Sequence, residues 1–324
     1  MAAGPRPVVG LDLGGTKTLA VVVAGDGHVL GQSLHPTPTE GRDALLAMLE
    51  RAVRESIARA GLSAEAVAGV GVGVPGVTDA EAGVLIMPPN LPEDCRDLPV
   101  RALLGPRLGM PVQVDNDANC AALGEHLFGA GRGAADMVYV TMSTGIGGGI
   151  VSGGRLVRGA RSAGEVGHMA LAPDQPDRCG CGRHGCWEAL SSGTAMARQA
   201  RDAAAAGTAS DALRRAAGGP GGISGKTVIE CAEAGDATSL AIIARAVQYS
   251  GYGFMNLIHV LGPGAIVVGG GLTHAWDLCI APAADWALRH AMEAPASACR
   301  IVRSALGELV GGIGAAALVF AQQA

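Results

Sequence analysis

The feature that most constrains the fold of this chain is a strand–glycine turn–strand pattern that occurs twice. The first copy spans Val8 to Val23, and its two apolar runs flank the turn Asp12-Leu13-Gly14-Gly15-Thr16-Lys17. The second copy spans Met137 to Val151 around the segment Ser143 to Gly149. Apolar runs joined by a short glycine-containing turn predict β-hairpins. Two such halves, each followed by helical patterns, predict two α/β domains that flank a central cleft.

Both glycine turns are candidate phosphate loops. Backbone N–H groups in a turn of small residues can cradle phosphate oxygens. Thr16 and Lys17 add side-chain donors, and Asp12 at the strand end is placed to hold a metal through water. Neither turn has the GxxxxGK[ST] pattern, and the second is followed by a strand, unlike a dinucleotide fingerprint. Either turn alone is equally compatible with an ordinary hairpin, but two phosphate loops are typical of actin-like ATPases.

A polar segment, Asp115-Asn116-Asp117-Ala118-Asn119, stands between a predicted strand and a predicted helix. Phosphoryl transfer needs a group that accepts the proton of the attacking hydroxyl and orients it. A carboxylate at this position is suited to that role. The structural alternative is a helix N-cap, because Asn and Asp are favoured there. Both interpretations hold if one residue of Asn116 and Asp117 caps the helix while the other contacts substrate.

A histidine and three cysteines form a candidate metal site. Glu165-Val166-Gly167-His168 precedes the run CGCGRHGC, which places cysteines at 179, 181 and 186. One His and three Cys suit tetrahedral zinc, and four protein ligands make such a site structural. His168 alone would be interpreted as a core histidine, and the cysteines alone as redox-active. Their combination within a glycine-rich loop favours zinc, with His168, Cys179, Cys181 and Cys186 as ligands.

Composition excludes several classes of protein. The net charge is −5 and only 16% of the 324 residues are charged, so no basic surface for nucleic acid or an anionic membrane is expected. The N-terminus does not resemble a secretory signal. The uncharged stretch 246–276 is interrupted by glycine, proline and asparagine, so it is interpreted as a buried helix, turn and strand. We expect a cytoplasmic protein whose scattered cysteines are free thiols.

These motifs together resemble those of the ROK family of repressors, open reading frames and sugar kinases. The family's zinc signature, Cys-Gly-Cys-Gly-x-x-Gly-Cys-x-Glu, is matched throughout by CGCGRHGCWE, and its ExGH motif by Glu165 to His168. The resemblance extends from Gly10 to the last predicted helix. It implies a two-domain actin-like, hexokinase-type ATPase fold with a central cleft. We expect residues 1–117 with about 304–324 in the N-terminal domain, and residues 118–303 in the C-terminal domain with the zinc-binding loop.

The resemblance also implies roles for particular residues. Asp117 would be the general base on the accepting hydroxyl. The implied sugar contacts, besides Asp117, are Gly76, Asn90, Asn116, Glu165, His168 and Glu188. The implied nucleotide contacts are Gly14, Gly15, Thr16, Thr144, Gly145, Gly269, Gly270 and Gly271. Asp12 and Lys17, named above, belong to the same nucleotide-binding set. ATP with Mg²⁺ would be the phosphoryl donor, and the zinc would brace the sugar pocket through His168.

The resemblance leaves the substrate open. We expect phosphorylation of glucose to glucose 6-phosphate, with an N-acetylmannosamine kinase or other hexose kinase as the alternative. Glu93-Asp94-Cys95 replaces a Gly-Trp that is frequent in glucokinase-like members, and Asp115 replaces a Glu. A sugar-sensing regulator is less favoured, because the phosphate loops and Asp117 are retained and little sequence precedes Gly10. An actin-like structural ATPase would have no use for the cysteines. We expect a homodimer or homotetramer.

Overall fold

The computed structural model describes residues 5–88, 91–160, 162–216, 218 and 222–323. Its contacts group the chain into two compact units. The first unit contains residues 1–135, 149–164 and 304–324, and the second contains residues 136–148 and 165–303.

The first unit is built on a five-stranded sheet. In chain order, the first seven strands are β1 (Val8–Leu13), β2 (Lys17–Val23), β3 (Val29–Pro36), β4 (Val70–Val74), β5 (Val77–Asp79), β6 (Val84–Met87) and β7 (Val112–Asn116). The sheet order is β3-β2-β1-β4-β7, with β1, β4 and β7 parallel and β2 antiparallel to both of its neighbours. Strands β5 and β6 form a separate antiparallel hairpin. The carboxyl ends of β1 and β7 therefore carry the first glycine turn and the Asp115 segment.

Three helices of the first unit are α1 (Arg42–Arg59), α2 (Val100–Leu108) and α3 (Asp117–Phe128). Apolar side chains of α1 recur at helical spacing, and Leu45, Leu49 and Val53 are fully buried against the sheet. This burial is the main stabilising contribution of an amphipathic helix. The apolar spacing in the sequence therefore predicted both the helix and the face that it buries.

The second unit contains the second glycine turn and most of the helices. Its five-stranded sheet has the order β10-β9-β8-β11-β12. The strands are β8 (Met137–Met142), β9 (Ile146–Ser152), β10 (Arg155–Val157), β11 (Ala265–Gly269) and β12 (Arg300–Arg303). From Gly149 onward, β9 and β10 are counted with the first unit. The helices are α4 (Trp187–Ser191), α5 (Gly193–Ala205), α6 (Asp211–Ala216), α7 (Gly225–Glu233), α8 (Ala237–Leu261), α9 (Ala281–His290) and α10 (Glu293–Ala298).

The C-terminal helix, α11 (Val310–Gln323), is grouped with the first unit. Ile313, Ala316 and Phe320 pack against β1 and β2, and Phe128 of α3 meets Phe320 edge to face at 5.6 Å. Helix α3 is thus held by α11 within the first unit, whereas the predicted boundary at residues 117/118 assigned it to the second domain. The domain boundaries themselves stay a prediction.

The two hairpins around the glycine turns, and the helix, turn and strand within residues 246–276, are confirmed. The alanine- and glycine-rich composition of residues 203–225 predicts a helix end and a flexible insertion, but the described part of this range includes α6, whose Leu213 is fully buried. Alanine-rich sequence has high helix propensity, which explains the difference. The hairpin of β5 and β6 was not predicted, because its two strands are short. Among the helices in the described ranges, none is long and apolar enough to cross a membrane.

Candidate functional site

The first candidate phosphate loop is the tight turn between β1 and β2. The Gly14 N–H donates to the Lys17 carbonyl oxygen at 3.1 Å, and Gly15, Thr16 and Lys17 are exposed. Thr37, which follows β3, holds the loop at two points. Its N–H donates to the Thr16 carbonyl at 2.9 Å, and its hydroxyl donates to the Gly14 carbonyl at 2.7 Å. The loop is therefore fixed from behind while its outer edge stays accessible.

Asp12 lies at the end of β1, directly before this loop. Burial raises the pKa of its carboxyl, and the nearby charge of Lys17 opposes that effect. A carboxylate that is costly to ionise binds a cation favourably, because the cation offsets the lost hydration. Its position is consistent with the predicted role in binding a metal through water.

In the segment after β7, the helix cap and the accessible carboxylate are two different residues. Asn116 is the N-cap of α3: its side-chain oxygen accepts from the N–H groups of Ala118 at 2.9 Å and Asn119 at 3.2 Å. Its side-chain nitrogen donates to the carbonyl of Gly76 at 3.2 Å. Asp117 is the first residue of the helix and is exposed. The capping function therefore belongs to Asn116, and the carboxylate of Asp117 is accessible.

Asp115, two residues earlier, is almost completely buried, at 2% exposure. One carboxylate oxygen accepts from the Asn116 N–H at 2.8 Å and from the Asn119 side chain at 2.9 Å. The other forms an ion pair with Nε of Arg158 at 2.6 Å. Asp115 therefore serves the local structure. The Asp117 carboxylate accepts from the Ala118 N–H at 2.8 Å, but it is exposed, so a ligand can reach it.

The second phosphate loop is tied to the ExGH segment and to Glu188. The Ile146 N–H at the start of β9 donates to one carboxylate oxygen of Glu188 at 2.9 Å. The other oxygen lies 3.6 Å from the Cys179 sulfur. Gly167 packs so closely on the loop that a Cβ would overlap the Ile146 carbonyl. The loop, the ExGH segment and the cysteine loop therefore form one connected assembly within the second unit.

The four predicted metal ligands meet in the second unit. One ligand atom from each of His168, Cys179, Cys181 and Cys186 lies within 4.8 Å of all the others. Nδ1 of His168 is 3.5 Å from the Cys179 sulfur, and the sulfurs of Cys181 and Cys186 are 3.7 Å apart. Tetrahedral zinc with ordinary bond lengths requires about 3.5 Å between nitrogen and sulfur and about 3.8 Å between sulfurs. The donor set and its spacing fit zinc.

The three thiols differ in the direction in which their pKa departs from the ordinary value. Burial raises the pKa of Cys179 to about 12 and also raises the pKa of Cys186. A hydrogen bond from the Arg183 backbone lowers the pKa of Cys181, which is the exposed member. Three thiolates do not ionise together at neutral pH without a positive charge between them, and a zinc ion supplies that charge. Nε2 of His168 lies on the other side of the ring, 3.9 Å from a Glu165 carboxylate oxygen.

A cavity of about 860 Å³ opens beside the second phosphate loop. Such a volume lies within the range of small-molecule binding sites. It is lined by Ser143 and Thr144 of the loop and by Gly271 of the glycine run after β11. Further lining residues come from α5, α7, the segment before α7 and the segment after Gly271, and include Arg201, Ile223, Ser224, Lys226, Glu230, Glu233 and Leu272. Thr144 and Gly271, both predicted nucleotide contacts, therefore line the same cavity.

The described residues place the other predicted contacts as follows. In the first unit are Asp12, Gly14, Gly15, Thr16, Lys17, Gly76, Asn116 and Asp117, and in the second are Thr144, Gly145, Glu165, His168, Glu188, Gly269, Gly270, Gly271 and the three cysteines. Asn90 lies outside the described residues. Sequence reasoning missed Thr37, Arg158 and the wall formed by α7. Each depends on contacts between distant parts of the chain, for which the sequence has no local signal.

Comparison with known proteins identifies the family. The ROK family model matches residues 8–322, and the chain belongs to the ROK family. A relative named glucokinase from Streptomyces coelicolor is 36% identical over 277 residues, which cover 85% of this chain and 84% of that protein.

Two solved structures show the same architecture. A ROK hexokinase from Thermus thermophilus has a TM-score of 0.80 and 35% identity, and covers 98% of this chain and 99% of its own. A ROK family glucokinase from Streptomyces griseus, in complex with glucose and AMPPNP, has a TM-score of 0.78 and 34% identity over 96% of this chain and 98% of that one. The fold is the actin-like ATPase fold, and the predicted enzyme class, an ATP-dependent sugar kinase, is confirmed by these relatives.

Proposed function

We propose that this enzyme transfers the γ-phosphoryl group of ATP to a hydroxyl of a hexose, with glucose as the preferred acceptor and Asp117 as the general base. The role of Asp117 is supported by the different positions of the three polar residues 115–117 at the end of β7. Asn116 caps α3 and Asp115 is buried in an ion pair, so Asp117 is the accessible carboxylate of the segment. An accessible carboxylate can accept the proton of a sugar hydroxyl as it attacks phosphorus.

The donor side of the reaction is supported by the two glycine turns. Backbone N–H groups of the exposed turn at Gly15 to Lys17 are suited to phosphate oxygens, and Asp12 would hold Mg²⁺ through water. The cavity beside Thr144 and Gly271 has room for the nucleoside. Mg²⁺ bound to ATP would neutralise the developing charge on the phosphates. The protein residues bind and orient the nucleotide.

A structural zinc held by His168 and the three cysteines would brace the acceptor side. Nδ1 of His168 faces Cys179 and would bind the metal, while Nε2 faces Glu165. A metal ligand whose second ring nitrogen meets a carboxylate is held in one orientation. In this arrangement His168 and Glu165 would present a fixed pair of polar groups to sugar hydroxyls, with Glu188 linking that pair to the second phosphate loop.

The preference for glucose is supported by the position of the divergent segment. Cys95 is fully buried in the core of the first unit. The Asp94 carboxylate accepts from the Arg42 N–H at 3.0 Å, at the N-terminus of α1. An anion there is favoured by the helix dipole and satisfies an otherwise unpaired donor. Two of the three divergent residues therefore serve the fold, which weakens the argument for an N-acetylated substrate.

The test of the base is Asp117→Asn. This change keeps the shape of the side chain and its place in the first turn of α3, but removes the proton acceptor. We expect kcat to fall by roughly 10² to 10⁴ with little change in glucose binding. The matched control is Asp43→Asn, since Asp43 is an exposed acidic residue in the first turn of α1. Turnover of Asp117→Asn within a few-fold of the wild type would exclude Asp117 as the base.

The acceptor is tested by comparing kcat/KM for glucose, mannose and N-acetylmannosamine with ATP as donor. A higher value for glucose supports the proposal. A higher value for N-acetylmannosamine would replace glucose by the alternative acceptor, while leaving the kinase chemistry and the role of Asp117 unchanged.

A further inference from the structure

The ion pair between Arg158 and Asp115 lies directly behind the proposed base. Arg158 follows β10, and the two residues are 43 positions apart in the sequence. The Asp115 carboxylate also holds the Asn116 N–H and the Asn119 side chain, which are the residues on either side of the first turn of α3. Through Asp115, the position of Arg158 is linked by hydrogen bonds to the residues that flank Asp117.

The surroundings of this ion pair are strongly acidic. Cys120 in α3 is fully buried, and its pKa is raised first by burial and then by the negative charges of Asp115, Asp117 and Asp12. Arg158 is the one cation, among the described residues, that acts on Cys120 in the opposite direction. Three carboxylates from β1, β7 and α3 therefore act on this region together with the guanidinium of Arg158, and the charge of Lys17 acts on Asp12.

We propose that Arg158 is a positioning residue for the phosphoryl transfer, which holds the Asp115–Asn119 turn in place and keeps Asp117 ionised in its acidic surroundings. This proposal rests on the proposed function of Asp117. Arg158 is suited to the role because its guanidinium stays charged at all working pH values and binds a carboxylate in a fixed geometry. Its side chain is 46% exposed, so it can be replaced without opening a cavity in the core.

Loss of Arg158 would act on Asp117 in two ways. Asp115 would become a buried carboxylate without a cation, which is unfavourable, and the turn that it holds would become less ordered. Removal of the positive charge would also favour the protonated form of the base, because like charges among Asp12, Asp115 and Asp117 would no longer be offset. The first effect lowers kcat, and the second moves the acidic limb of the pH profile to higher pH.

The experiment uses Arg158→Met, which keeps most of the side-chain length and removes the charge. In the full-length enzyme with ATP and glucose, we expect kcat/KM to fall by about 10- to 100-fold at pH 7, mainly through kcat. We expect the acidic limb of kcat/KM to move up by about 0.5–1 pH unit. Arg158→Lys should retain more activity and a smaller shift. The matched control is Arg155→Met, an exposed arginine on β10 that should behave as the wild type.

A double-mutant cycle with Asp115→Asn distinguishes positioning from direct substrate contact. If Arg158 acts through Asp115, the loss caused by Arg158→Met should shrink at least several-fold in the Asp115→Asn background. An undiminished loss there would mean that Arg158 contacts a substrate, and would overturn the proposal. It would also be overturned by activity of Arg158→Met within twofold of wild type, or by a lower Tm without a change in the pH profile. Absence of hexose phosphorylation by the wild type would instead reject the proposed function.

Discussion

Asp177 is expected to anchor the cysteine loop to the body of the second unit. Its side chain is 7% exposed and forms ion pairs with Arg198 of α5 at 2.5 Å and with Arg245 of α8 at 2.6 Å. Two residues further along the chain is Cys179, the first cysteine of the proposed zinc site. Asp177→Asn keeps the size of the side chain but replaces an acceptor by a donor that faces a guanidinium. Both arginines then lose their buried anionic partner.

The size of the effect follows from the bonds that are lost. A hydrogen bond to a charged group contributes about 1.5–3 kcal/mol. The two arginine side chains are 32% and 28% exposed, so solvent screening reduces the pairs to about half of that value. We therefore expect Asp177→Asn to lower the free energy of unfolding by about 1.5–3 kcal/mol. For a chain of 324 residues, that corresponds to a fall in Tm of about 2–5 °C.

The pH dependence of this difference gives a second check. Burial opposes ionisation of Asp177, but the hydrogen bonds and charges of Arg245 and Arg198 prevail and lower its pKa from 3.8. A carboxyl whose folded-state pKa is lowered contributes stability above its unfolded pKa and loses it as the pH falls through the folded value. The difference between wild type and variant should therefore be the same at about pH 7 and pH 5, and shrink only below 3.8.

Thermal unfolding followed by circular dichroism at these pH values measures both quantities. The control is Asp174→Asn, because Asp174 is an exposed acidic residue three positions earlier in the same loop. A Tm for Asp177→Asn within about 1 °C of the wild type, or an equal loss in the control, would refute the reasoning.

Two further predictions concern the proposed zinc site and the first phosphate loop. Cys181→Ser should lower the zinc content, measured by elemental analysis, well below one ion per chain. His184→Ala in the same loop is the control and should retain zinc, because His184 is not among the four grouped ligands. Full zinc content in Cys181→Ser would exclude that ligand set. Thr37→Val removes the hydroxyl that holds the Gly14 carbonyl, so KM for ATP should rise about 3- to 10-fold with KM for glucose unchanged. Thr39→Val, at an exposed position nearby, is its control, and an unchanged KM for ATP would show that Thr37 does not fix the loop.

The parts of the fold that could be predicted are those specified by neighbouring residues. The turn at Gly14 and Gly15, the helical spacing of α1 and the cap at Asn116 each depend on a few consecutive positions, so their patterns are visible in the sequence. The cysteine loop is similar, because all four ligands lie between His168 and Cys186. Local chemistry was therefore sufficient to predict both glycine turns and the grouping of the four candidate ligands.

What could not be predicted depends on the packing of distant segments. Arg158 contacts Asp115, 43 positions away in the sequence, and Asp94 contacts the N-terminus of α1, 52 positions away. The residues adjacent to each partner in the sequence contain no pattern that predicts these contacts. The resemblance implies that residues 93–95 border the sugar, but it does not reveal that the Asp94 carboxylate bonds the Arg42 N–H or that Cys95 is buried in the core. The range 203–225 was predicted to include a flexible insertion, yet Ile223 and Ser224 of this range line the cavity beside the second glycine turn.

The C-terminal helix links the end of the chain to the first phosphate site. Gly311, in the first turn of α11, lies so close to Asp12 that a Cβ at this position would overlap the carboxylate. The positive end of a helix dipole favours an ionised carboxylate nearby, whereas burial of Asp12 raises its pKa and disfavours the ion. The helix dipole and burial therefore have opposite effects on the ionisation of the Asp12 carboxyl. The packing of α11 in the first unit therefore does more than complete a core, since it brings the first turn of this helix against the carboxylate that we propose to hold the metal of ATP. Because this arrangement requires a residue without a side chain, the glycine at 311 is as much a part of the proposed site as the glycines of the loop.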